Sequence, residues 1–70
     1  MDPYAVCKYV KHYTQKNGYS PKRGDVGCTE DELDALVKNG VLEICPLYEG
    51  GPLINVVLTD KGARMSEGRR

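Results

Sequence analysis

The chain has 70 residues, 40% of them hydrophobic and 29% charged, with ten Lys and Arg balanced by ten Asp and Glu. That length allows one domain, and so short a chain hides only roughly 60% of its unfolded surface, so its core must be simple. Formal neutrality removes the bulk attraction a basic domain has for nucleic acid. No apolar run approaches the ~20 residues of a membrane span, so a soluble chain with no membrane partner is expected.

The opening stretch, "MDPYAVCKYV", has an acid where a signal peptide wants bases and lacks a long apolar segment before a cleavage site. A cytoplasmic location is the expectation. Cys7, Cys28 and Cys45 are odd in number, with no C-x-x-C pair and no His at ligand spacing. Reduced, mostly buried thiols and no metal are the expectation, with a reactive thiol or an intermolecular disulfide as the alternative.

From Asp2 to Asn17 the pattern is helical, with Pro3, Val6, Cys7, Val10 and Tyr13 on one face and Lys8, His12, Gln15 and Lys16 outside. Asp2 is suited to cap this helix, Pro3 to sit in its first turn, and Asn17-Gly18 to stop it. Ser20-Pro21 starts a second helix, but "PKRGDVG" runs out at Gly24 and Gly27 after little more than one turn. Thr29-x-x-Glu32 is a capping box that opens a third helix, with Leu33, Leu36 and Val37 as its buried stripe and Asn39-Gly40 as its end. This helix is expected to seat over Val6, Val10 and Tyr13.

Two β-rich runs follow, "VLEICPLY" and "PLINVVLT", separated by "EGG". They read as a hairpin, with an edge or a bulge at Pro46 because proline cannot donate to a ladder. Thr59 is placed to cap a short closing helix, "DKGARM", and the tail "SEGRR" is expected to fray. Tyr9, Tyr13 and Tyr19 are expected to complete the small core, while Tyr4 and Tyr48 are candidates for partner contact. The expected fold class is therefore α+β: three helices, a C-terminal two-stranded hairpin and a short closing helix. One domain over residues 1–66 with a tail at 67–70 completes the outline.

That element order is the order of a winged helix-turn-helix domain. "NGYSPKRGDVG" followed by "LDALVKNGVLEI" resembles the DNA-binding domain of LexA-type repressors, and "VLTDKG" resembles the last strand and helix start of MarR-like and PadR-like regulators. The resemblance covers nearly the whole chain and implies double-stranded DNA as the partner, with the third helix in the major groove and the hairpin against the backbone. The chain departs from the LexA-like pattern by lacking several residues between Val26 and Thr29. Its hairpin tip, "YEGGP", carries Glu49 and no Lys or Arg.

Glu30, Asp31 and Glu32 at the start of the third helix have two readings. Negative charge there meets unpaired amides and the positive end of the helix dipole, which accounts for all three without DNA. A carboxylate also accepts a hydrogen bond from the cytosine amino group in the major groove, and the resemblance sets Glu30 and Asp31 at an acidic pair of the LexA-like helix. Lys22 and Arg23, at the start of the second helix, are the best candidates for a phosphate clamp, the alternative being two solvated surface charges, while Lys38 on the third helix faces the base edges with Glu30 and Asp31. Lys8, Lys11, Lys61, Arg64, Arg69 and Arg70 are further cations.

Catalysis is not expected: His12 is the only histidine, and no Ser or Cys at a plausible spacing provides a nucleophile with its base. Gly50-Gly51 lies between two strands and reads as a turn, not a phosphate loop. No cofactor is implied. Two functional expectations stand side by side: a small DNA-binding regulator, dimeric on its operator, and a winged helix whose acidic third helix docks a basic protein.

Overall fold

The computed structural model describes residues 2–46 and 48–67. The elements run α1 (Pro3–Asn17), a 3-10 turn (Arg23–Asp25), α2 (Glu30–Lys38), β1 (Leu42–Pro46), β2 (Leu53–Leu58) and α3 (Asp60–Ser66). This is a small α+β domain of three α-helices and a two-stranded antiparallel hairpin. The helix expected as the third is α2.

Helix α1 begins where an Asp2 carboxylate oxygen accepts from the Tyr4 amide at 3.0 Å. It ends at Gly18, whose φ of 80° is the left-handed conformation a side chain disfavours and whose amide donates to the Thr14 carbonyl at 2.8 Å. Val6, Cys7 and Val10 are its buried stripe. The second helix shrinks to the 3-10 turn, and the segment before it takes up another task. The Pro21 carbonyl accepts from the Val56 amide at 2.8 Å, and Lys22 bridges Asn55, so this stretch lies along the edge of β2 that β1 leaves open. Proline has no amide to offer a strand, but its carbonyl is fully able to accept.

Helix α2 carries both halves of the capping box: Thr29 Oγ1 accepts from the Glu32 amide at 3.1 Å, and Glu32 Oε1 accepts from the Thr29 amide at 3.0 Å. It closes with Gly40 donating to the Val37 carbonyl and Val41 to the Leu36 carbonyl, each at 3.0 Å, the two-bond pattern of a left-handed glycine stop. In the hairpin Leu42 faces Leu58 and Ile44 faces Val56, and the register slips by one residue between Cys45 and Pro46, at the proline that has no amide to give.

Val6, Cys7, Val10, Val26, Leu33, Val41, Leu42 and Val56 form one buried cluster, with Leu36, Val37, Ile44, Leu58 and Met65 packed against it. Leu33 brings α2 to the same core as Val6 and Val10, as expected, but Tyr13 lies outside it. Tyr9 and Tyr19 are 42% and 58% exposed, which corrects the expectation that they complete the core. The chain fills its interior with Val and Leu instead, and α1 packs closely against α3 and β2.

Helix α3 is more than a closing turn. Thr59 Oγ1 accepts from the Gly62 amide at 3.1 Å and lies 3.0 Å from the Val41 carbonyl, and the Thr59 amide donates to that same carbonyl at 3.2 Å. Lys61 Nζ donates to the Asn39 carbonyl at 3.1 Å. These bonds tie the end of α2, the start of β1 and the start of α3 together. Ser66, expected in the fraying tail, is the last residue of α3 and is buried, its hydroxyl donating to the Ala63 carbonyl at 2.7 Å. Arg69 and Arg70 lie outside the described residues. Among the described residues no helix is long and apolar enough to cross a membrane.

Candidate nucleic-acid interface

Five residues were singled out by the sequence: Lys22, Arg23, Glu30, Asp31 and Lys38. Glu30 and Asp31 are exposed in the first turn of α2, and Lys38 is exposed in its last residue, about 12 Å along the axis at 1.5 Å per residue. Asp34 and Ala35 are exposed between them. Helical spacing sets Glu30, Asp34 and Lys38 in one row, with Asp31 beside it.

Each carboxylate at the head of α2 has a different fate. Glu32 turns back to the backbone, and the hydrogen bond from the Thr29 amide holds its carboxyl below the usual glutamate range. Glu30 pairs with the Arg23 guanidinium, tying the 3-10 turn to α2. No described cation pairs with Asp31 or Asp34. The acids foreseen as helix stabilisers are thus split between a cap, an ion pair and an open surface.

The structure therefore joins two of the five expected residues directly, Arg23 and Glu30, and they occupy one another. Lys22 is exposed, with its backbone held on β2. Lys38 is exposed at the far end of the helix, next to Asn39, whose carbonyl accepts from the Lys61 ammonium. Asp34, at helical spacing from Glu30 and Lys38, belongs to this surface without having been singled out as a site; its spacing was the available signal. In the hairpin, Tyr48 is 63% exposed, and no Lys or Arg occurs between Val41 and Thr59. The hairpin can offer a partner apolar and hydrogen-bonding contacts but no cation.

Among the described residues no group of three or more His, Cys, Asp or Glu is arranged to hold a metal ion. The three cysteines are free thiols. Burial pushes the Cys7 thiol up, with Asp2 adding to it, and burial followed by Glu32 does the same for Cys28. Neither is primed as a nucleophile, since thiolate is the reactive form.

Comparison with protein-family models, with curated proteins and with solved structures gives no match to this chain.

Proposed function

We propose that the chain is a winged-helix module that binds double-stranded DNA with the exposed face of α2. The observation that carries this reading is the Pro21–Lys22 segment laid on β2: it completes the order helix, turn, helix and hairpin around one core, with Lys22 just ahead of the turn that meets α2. In such a layout α2 is the element available to a groove, and its dimensions suit the major groove.

Glu30, Asp31 and Lys38 then face the base edges, with Asp31 as the reading acceptor, and Lys22 and Arg23 hold the backbone, Arg23 dividing its charge between Glu30 and phosphate. The Arg23–Glu30 pair supports this assignment by cancelling one carboxylate that phosphate would otherwise repel. One module of this size buries little DNA surface, so a homodimer on paired half-sites supplies specificity. No cofactor or metal takes part. Titration with a mixed-sequence duplex at low and moderate salt tests the proposal. Binding should weaken steeply as salt rises and vanish in a Lys22→Glu, Arg23→Glu double variant, whereas absence of binding at low salt overturns it.

A second reading has its own support. Asp31 and Asp34 are without a described cation, and the hairpin carries none, which suits α2 to a basic protein surface better than to a polyanion. This reading expects no duplex binding and salt-sensitive capture of a Lys-rich peptide, lost on Asp31→Lys with Asp34→Lys.

A further inference from the structure

The charge that α2 lacks lies on α1. Between Pro3 and Asn17 the chain places Lys8, Lys11, Lys16 and His12 with no Asp or Glu, whereas α2 carries four carboxylates and one Lys. In a chain of zero net charge this is segregation, and it makes the outside of α1 locally cationic. Lys8 and Lys16 are exposed about 12 Å apart along the helix, and Lys11 is half-buried at its β2-facing border.

Aromatic rings lie along the other border. Tyr9 and Tyr13 have centroids 6.0 Å apart, and Tyr13 and Tyr19 likewise, the second pair edge to face, so three rings run from mid-helix past the Gly18 stop. Tyr9 and Tyr19 keep much of their surface in water. Burial, followed by Tyr19 and Asp25, pushes the Tyr13 hydroxyl up.

We infer that the outer face of α1 binds single-stranded nucleic acid, with bases stacking on Tyr9 and Tyr19 and phosphates held by Lys8 and Lys16. Cations beside exposed rings are the two components of a sequence-tolerant single-strand surface. A duplex offers phosphates to the lysines, but its bases already stack on one another and leave the rings unused. An acidic polypeptide would use the lysines and likewise leave the rings idle. The surface is distinct from α2 and does not depend on α2 binding DNA.

The test is a fluorescence-anisotropy titration of the full chain with a labelled oligothymidylate of about 12 nucleotides, within the footprint of small single-strand binders. Competitors are a duplex of equal length and polyglutamate. Salt-sensitive binding is expected, weakened about ten-fold or more by Tyr9→Ala with Tyr19→Ala, the scale of stacking lost per ring, and kept by the corresponding Phe variants. Lys8→Glu with Lys16→Glu should weaken it as well. Lys22→Glu with Arg23→Glu should leave it intact, which separates this surface from the proposed duplex site. No binding at low salt, an unchanged affinity in the Ala variant, or polyglutamate competing as well as unlabelled oligothymidylate would each overturn the inference.

Discussion

Gly62 lies so close to Val41 that a Cβ built on it would stand 2.2 Å from the Val41 carbonyl oxygen and 3.2 Å from Leu58 Cδ2. The contact lets α3 sit directly on the start of β1. Helix propensity alone favours Ala over Gly by about 1 kcal/mol. The clash is with backbone, however, and so is not relieved by a rotamer change. Gly62→Ala is therefore expected to lose about 1–3 kcal/mol, the usual cost of overpacking. In a domain this small each kcal/mol lowers the melting temperature by about 4–8 °C. Circular-dichroism melting checks it, with Gly24→Ala as a control, since a Cβ at Gly24 meets nothing within 4 Å. A Gly62→Ala melt equal to the wild type would refute the close contact.

Glu32 gives a pH dependence whose sign is fixed. Its carboxyl is held below the ordinary value of 4.5, first by the Thr29 amide. A group with a depressed folded-state value contributes stability that is full above the unfolded value and disappears as pH falls through the folded one. Glu32→Gln keeps an oxygen acceptor for Thr29 but has no charge to lose. The wild type should therefore exceed the Gln variant in urea midpoint above the ordinary glutamate range, and the two curves should converge in more acidic solution. A gap that stays constant with pH would place the effect elsewhere.

Local signals in the sequence proved sufficient for most of the fold, because caps and stops act over a few residues. Asp2, Gly18, Thr29, Gly40 and Thr59 each mark an element boundary that the structure has. Features that depend on distant partners were not legible. Nothing around Pro21 indicates that its carbonyl meets Val56, thirty-five residues on, and the Arg23–Glu30 pair needs the geometry of the intervening turn. Tyr9 and Tyr19 were misplaced because a count of aromatic side chains cannot say how much apolar volume the core needs. Val26, Leu33 and Val56 fill it without them. The candidate surface was legible as residues but not as pairings, so neutralisation of Glu30 by Arg23 went unforeseen.

Asn55 is a buried polar residue on β2, 9% exposed, and its Oδ1 has no hydrogen-bond partner among the described residues. A buried acceptor left unpaired costs about 1–3 kcal/mol. Asn55→Val removes that acceptor and installs a β-branched residue of similar size in a strand. The Lys22 bridge is made by backbone and should survive. The variant is expected to be more stable by about 1 kcal/mol, a rise of several degrees in melting temperature. A fall of that size would mean that the Asn55 amide has a partner worth keeping.

The Arg23–Glu30 pair distinguishes stability from function. Glu30 is largely exposed, its side chain 68% accessible, so solvent screens the interaction and a double-mutant cycle on unfolding should give a coupling below about 1 kcal/mol. Its effect on DNA should be larger than its effect on folding. Glu30→Gln removes a carboxylate from the proposed interface and releases the Arg23 guanidinium for phosphate, so duplex affinity should rise several-fold and its salt dependence should steepen by about one counterion. Arg23→Ala should do the opposite, leaving Glu30 unscreened. Under the protein-docking reading the signs reverse for a Lys-rich peptide: Glu30→Gln weakens capture and Arg23→Ala strengthens it. Measuring both variants against both ligands therefore identifies which partner α2 faces.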